Sequence, residues 1–286
     1  MVPSLQSRRI AFIGGGNMAS AIISGLLASL TPATNIVVAE PWDVNRGKLA
    51  SLGVNTTTDN AAAAAGADVL ILAVKPQVAR TVCEELAAAW GRNAADAAAK
   101  LPVVVSVVAG VTLQSLVGWA TTADGRAPHI VRVMPNTPAL VGEGASGIFA
   151  GADVTDEEKA HVSTLMSSVS KATEWVDREE LLDVVTGLSG SGPAYFFNMV
   201  EHLITSAVAL GLPEEQAARL AKQTCLGAGK MLVTSAESPG QLRKNVTSPN
   251  GTTHAALETF KALNFEDIVD KAVKAATNRS LELAKQ

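Results

Sequence analysis

An α/β fold with a mostly parallel sheet, followed by an all-helical region, is predicted for this chain of 286 residues. Three observations predict it. Short β-branched runs alternate with alanine-rich helical segments through the first half, and strands spaced by helices build parallel sheets covered on both faces. A glycine cluster follows the first apolar run and opens a helix. From about Glu179 strand-like alternation stops and long helical patterns take over.

The expected strands are Ile10–Ile13, Ile36–Ala39, Val69–Val74, Val103–Val108 and Ile130–Met134, with helical patterns at 17–30, 43–52, 77–90 and 112–119. The Ala61–Ala65 run reads as helix. Asp156–Ser168 forms an amphipathic helix with Thr155 as N-cap and Glu158 three residues on. Further helices are expected at Ala194–Leu210, Glu214–Thr234 and Asp267–Lys285. Between the first two, Gly211 ends one helix and Pro213 suits the first turn of the next. No long linker separates the halves, so two tightly packed domains are expected, 1–178 and 179–286. The second has the extensive apolar helical faces of a dimerisation unit.

Composition narrows the function. The chain is 48% hydrophobic and 17% charged, which is globular, and only 4% aromatic, so its core is aliphatic. Twenty-three basic against 27 acidic residues, with no basic run, exclude nucleic acid as the main partner. Cys83 and Cys225 fit no metal or disulfide spacing and read as small buried hydrophobes in a reducing compartment. Met1 to Arg9 is short and polar, unlike a signal peptide, and apolar stretches such as Ala61–Val74 are broken by Asp68. A cytoplasmic protein with no membrane partner and no metal is expected.

Ile10–Ile13 leads into Gly14-Gly15-Gly16-Asn17-Met18-Ala19, a G-x-G-x-x-A loop between strand and helix. One glycine makes the turn, the second lets backbone reach a pyrophosphate, and the small third residue lets helix and strand pack. The phosphates then sit on free helix amides, which predicts a Rossmann-type dinucleotide site. Glu40 ends the second strand, where an acidic residue bonds the adenosine ribose and favours NAD. Arg46 in the next helix offers a rescue for a 2′-phosphate, and both residues also fit a plain solvated surface. Lys75, after Val74 at the end of a buried strand, faces either the ligand crevice or simply solvent. Asn136, in the Pro135–Pro138 turn, offers a donor and an acceptor to a nicotinamide.

Two further motifs lie in the second half. Gly187-Leu188-Ser189-Gly190-Ser191-Gly192-Pro193-Ala194-Tyr195-Phe196 reads as a tight backbone passage opening a buried helix. Thr247-Ser248-Pro249-Asn250-Gly251-Thr252-Thr253-His254 concentrates hydroxyls at a helix start. An N-cap needs one hydroxyl, not four, so a carboxylate receptor is favoured over an elaborate cap. His254, a lone histidine in a first helical turn, is left outside the catalytic set.

Together IAFIGGGNMA, AVKP at 73–76, SVVAGVT at 106–112, MPNTPAL at 134–140, LSGSGPAYF at 188–196 and TSPNGTTHAAL at 247–257 resemble the pyrroline-5-carboxylate reductase family, in order and across essentially the whole chain. The resemblance implies reduction of the cyclic imine Δ1-pyrroline-5-carboxylate to L-proline, the last step of proline synthesis, with NADPH or else NADH. It implies a Rossmann-type domain, a helical domain forming a homodimer, and in many relatives a pentamer of dimers. It carries cofactor contacts onto Gly14, Gly15, Gly16, Asn17, Met18, Ala19, Asn60, Val74, Lys75, Ala109, Asn136 and Asn245, with Glu40 at the ribose end. Substrate contacts fall on Glu179, Ser248, Thr252 and Thr253, with Thr253 and Ser248 as the catalytic pair and Thr253 also at the ring nitrogen. Some NADPH-preferring relatives carry serine at the position of Glu40. The β-hydroxyacid dehydrogenases resemble this architecture too, with a lysine after a G-x-x-G-x-G spacing. Gly187, Gly190 and Gly192 match that spacing, but Phe196 stands in the lysine's place. Ketone reduction creates an alkoxide and needs that acid, whereas a protonated imine does not.

Overall fold

A computed structural model gives the structure of residues 5–92 and 100–284. It divides into two compact units, Met1–Gly190 with Ala276–Gln286, and Ser191–Ala275.

The first unit holds an eight-stranded sheet of β1 (Ile10–Ile13), β2 (Ile36–Ala39), β3 (Asn55–Thr57), β4 (Val69–Leu72), β5 (Val103–Ser106), β6 (Ile130–Met134), β7 (Gly144–Ala150) and β8 (Ser170–Trp175), in the order β3-β2-β1-β4-β5-β6-β7-β8. All neighbours are parallel except β6 and β7. Side chains alternate across the sheet as the pleat requires. Ile10, Phe12, Val38, Ile71 and Val105 face one layer, and Ala11, Ile13, Leu70, Leu72 and Val104 the other. The first layer is covered by α1 (Asn17–Ala28) and α6 (Asp156–Ser167), and the second by α3 (Asn60–Ala64), α4 (Pro76–Arg92) and α5 (Leu113–Ala120). With α2 (Asp43–Ala50) and α7 (Leu181–Val185) they complete the unit's regular helices before Gly190.

Strands β1, β2 and β6 have the expected limits. Strands β4 and β5 stop two residues early. The sequence signal missed β3, β7 and β8, for three different reasons. β3 is a three-residue polar edge, β7 (GASGIFA) is rich in glycine, and β8 (SKATEW) is a charged, largely exposed edge. The capping box of α6 forms, with the Thr155 side chain accepting from Glu158 N and the Glu158 side chain from Thr155 N.

The second unit consists of α8 (Gly192–Ala209), α9 (Glu214–Thr234), α10 (Pro239–Asn245), α11 (Thr252–Ala262) and most of α12 (Phe265–Leu283). Gly211 terminates α8 at φ +100. The expected end of the last helix at Lys285 lies outside the described residues. One expectation fails: α8 is not a buried helix within the single chain. Phe196 and Phe197 are 62% and 68% exposed, because no element of its own unit covers that face. Among the described residues, no helix is long and apolar enough to cross a membrane.

Glu158 has a second task. Burial pushes its carboxyl up, but hydrogen bonds from His129, the Thr155 amide and Lys100 outweigh that effect and hold it at about 2, against an ordinary 4.5. A carboxylate held low in the folded state stabilises above its unfolded value, and that contribution disappears as pH falls from 4.5 towards 2. Replacing Glu158 by glutamine is therefore expected to cost about 1–2 kcal/mol near neutrality, since the exposed Lys100 and half-exposed His129 are screened by solvent. Denaturant unfolding across this acid range should show the gap between parent and variant closing; a pH-independent gap contradicts the assignment.

Candidate functional site

At the carboxyl end of β1 the chain order reverses, since β1 lies between β2 and β4. Ligands bind such sheets at this switch point. Gly14 sits there at φ +96, and a Cβ on it would lie 2.5 Å from Ala73 O, so only glycine lets the loop pass the end of β4. Gly15 is pressed against Glu40 and Leu49, whereas at Gly16 nothing lies within 4 Å of where a Cβ would project. Gly16 is the N-cap of α1 and no side chain caps the helix. The amides of Asn17, Met18 and Ala19 thus begin a helix with an open, positively polarised end. This cradle fits a dinucleotide pyrophosphate. Val74 is half-buried against the sheet, and Lys75 is exposed, with no ion-pair partner among the described residues. Ala109 lies exposed after β5, beside Gly110 at φ +72.

Other candidates are already engaged. The Glu40 carboxylate accepts from Gly15 N at 2.7 Å and from Trp42 N at 2.9 Å. Asn60 Nδ2 donates to Glu85 at 2.9 Å. Asn136 is buried, donating from Nδ2 to Ser189 O and accepting at Oδ1 from Ala145 N. Its amide ties the turn after β6 to the passage at 186–190, which coils as one wide π-type turn. Gly190 packs there against the Met134 side chain, whose Cε lies 2.6 Å from where a Cβ would project. Glu179 pairs with Arg132 and also accepts from Leu113 N. Sequence reasoning passed over Arg132, although a charge inside the apolar run IVRVM signals a buried partner.

In the second unit, α11 starts at Thr252 with Gly251 as N-cap and no side-chain cap. Asn250 before it adopts φ +58, and Gly251 N bonds Ser248 O at 3.1 Å. The hydroxyls of Ser248, Thr252 and Thr253 have no hydrogen-bond partner among the described residues. Thr247 instead bonds Arg243 O at 2.6 Å. The elaborate-cap alternative therefore fails at Ser248, Thr252 and Thr253, and what remains is an open helix terminus ringed by free hydroxyls, suited to a carboxylate. Asn245, at the end of α10, accepts from Gln241 Nε2 at 2.7 Å and donates to Glu237 at 2.8 Å. Nothing in the pattern around Glu237 singles it out.

Gly14→Ala tests the close approach. It is expected to cost about 1–3 kcal/mol through overpacking against Ala73 and to weaken dinucleotide binding. Thermal unfolding and a dinucleotide titration check both; unchanged binding contradicts the loop's role.

Comparison with known proteins agrees with this geometry. A family model for the pyrroline-5-carboxylate reductase dimerisation domain matches residues 179–283, and one described as NADP oxidoreductase, coenzyme F420-dependent, matches residues 9–110. Pyrroline-5-carboxylate reductase of Pseudomonas aeruginosa is 43% identical, covering 99% of this chain and 99% of that protein. The Arabidopsis thaliana protein of the same name is 40% identical, covering 98% of this chain and 96% of its own length. A solved pyrroline-5-carboxylate reductase from Coxiella burnetii superposes with a TM-score of 0.88 at 40% identity, covering 98% of this chain and all of that one. The Plasmodium falciparum enzyme, solved with NADP bound, gives 0.81 at 27% identity, covering 98% of this chain and 100% of its own. With an open-ended helix after β1, a hydroxyl-ringed one in the second unit and full-length identity of this order, the chain belongs to the pyrroline-5-carboxylate reductase family.

Proposed function

We propose that the chain reduces the C=N bond of 1-pyrroline-5-carboxylate to give L-proline, the last step of proline biosynthesis, using NADPH or NADH. The observation that carries this reading is the uncapped terminus of α11 with free hydroxyls at Ser248, Thr252 and Thr253. We assign residues 1–178 to dinucleotide binding and 179–286 to substrate binding and dimerisation.

When bound, the reduced nicotinamide supplies a hydride to the imine carbon. The chain's own residues bind and orient. The Gly14–Ala19 loop and α1 amides hold the phosphates, with Asn60, Val74, Lys75, Ala109, Asn136 and Asn245 as further cofactor contacts. The α11 amides with Ser248 and Thr252 hold the carboxylate, and Thr253 Oγ1 steadies the ring nitrogen. Glu179 serves the substrate side by fixing the start of α5 through Leu113 N. The reacting nitrogen ends as an amine, so no alkoxide forms. Phe196, which carries no ionisable group, suits that chemistry, and orientation supplies most of the rate.

Exposed Phe196, Phe197, Leu220, Leu226 and Val233 support pairing of two copies through the helical unit. We extend this to a pentamer of dimers. The two free thiols, Cys83 and Cys225, support a cytoplasmic location.

Purified chain mixed with pyrroline-5-carboxylate and either reduced dinucleotide should consume the dinucleotide's absorbance; no loss with either one overturns the proposal. Thr253→Ala and Ser248→Ala should each lower kcat/KM by about 10- to 100-fold, the worth of a hydrogen bond to a charged group, while dinucleotide affinity holds. Phe197→Asp should lower the mass in solution towards the monomer by light scattering; an unchanged mass rejects this face as the interface.

A further inference from the structure

We infer that Glu40 makes this chain discriminate against the 2′-phosphorylated dinucleotide, so that NADH binds more tightly than NADPH. The inference rests on the dinucleotide reading of the Gly14–Ala19 loop. Glu40 follows β2, at the strand end where sheets of this order receive the adenosine ribose. A side chain free to swing would be ambiguous there, but Glu40 is not free. It is only 7% exposed, with Oε2 accepting from Gly15 N and Oε1 from Trp42 N. Its Cβ and Cγ lie 3.1 Å from where a Cβ on Gly15 would be, so the glycine loop itself walls it in.

A carboxylate offers about four lone-pair positions, and two here are taken by backbone. The remaining two match the hydroxyl donors of an unmodified ribose. A 2′-phosphate would instead bring a second negative charge against a fixed one in a partly water-excluded site, where like charges repel strongly. Relief would need a cation, and Arg46 is the nearest in sequence. Its guanidinium is committed elsewhere: Nη1 donates to Glu40 O at 2.9 Å and Pro41 O at 3.2 Å, and Nη2 pairs with Asp43. It fastens the β2–α2 turn and is not held in reserve for a phosphate. Lys48 stands further along α2, in its last turn.

The test is direct binding, independent of turnover. Calorimetric titration of the full chain with NADH and with NADPH should give an affinity ratio of about tenfold or more in favour of NADH. Glu40→Gln and Glu40→Ser should each narrow that ratio, chiefly by improving NADPH. Lys48→Ala should leave the ratio unchanged, and Arg46→Ala, which loosens the β2–α2 turn, should not weaken NADPH binding selectively. Equal or tighter NADPH binding by the parent chain overturns the inference whatever the variants do. So does an unchanged ratio in both Glu40 variants, or a loss of NADPH affinity alone in Arg46→Ala or Lys48→Ala. Binding of neither dinucleotide overturns the cofactor-site reading beneath it and the inference together. NADPH binding more tightly than NADH overturns the inference alone.

Discussion

Glycine N-caps that leave the first backbone amides of two helices, α1 and α11, open are the constraint on which the rest of this molecule depends. Side chains of Asp59, Thr112, Thr155 and Ser238 cap α3, α5, α6 and α10. Helices α2, α7, α8 and α9 start on Trp42, Glu180, Ser191 and Pro213 without a side-chain cap. At α1 and α11 the uncapped position is glycine, which leaves no side chain in the way. An unmet donor at a helix end is costly when buried and useful when an anion can reach it. In the first unit the space at Gly16 is open, which suits a phosphate. In the second, the hydroxyls of Ser248, Thr252 and Thr253 lie around the terminus without hydrogen-bond partners among the described residues.

Such termini work only if the surrounding chain holds still, and buried charges do much of that holding. Glu40 pins Gly15 and Trp42, while Glu179 ties Arg132 on β6 to the start of α5. Asn136 joins the turn after β6 to Ser189. Removing Glu179 would strand the buried Arg132 guanidinium, at a cost of about 3 kcal/mol. Several residues expected to touch ligands thus already have structural partners. Those partners hold Glu40, Asn136 and Glu179 in place.

The sequence was legible wherever local chemistry decides structure. Apolar runs located β1, β2 and β6 to the residue, and Thr155 with Glu158 announced the start of α6. The glycine pattern located the loop after β1, and α11 starts, as the surplus of hydroxyls at 247–253 suggests, without a side-chain cap. What stayed hidden depends on distant residues. Strand β8 is polar and forms because β7 offers it an edge. The partners of Glu179 and Asn136 lie 47 and 53 residues away. The passage at 187–196 reads as the opening of a buried helix, but Phe196 and Phe197 are exposed in the single chain, and periodicity cannot distinguish a core face from an exposed apolar one.

The central claim, that the open end of α11 receives a carboxylate, is tested most directly by a pair of ligands differing in that group alone. Calorimetric titration of the chain, saturated with oxidised dinucleotide, with L-proline and with pyrrolidine makes the comparison. Proline should bind with measurable heat and pyrrolidine should not. Equal binding of the two would contradict the account.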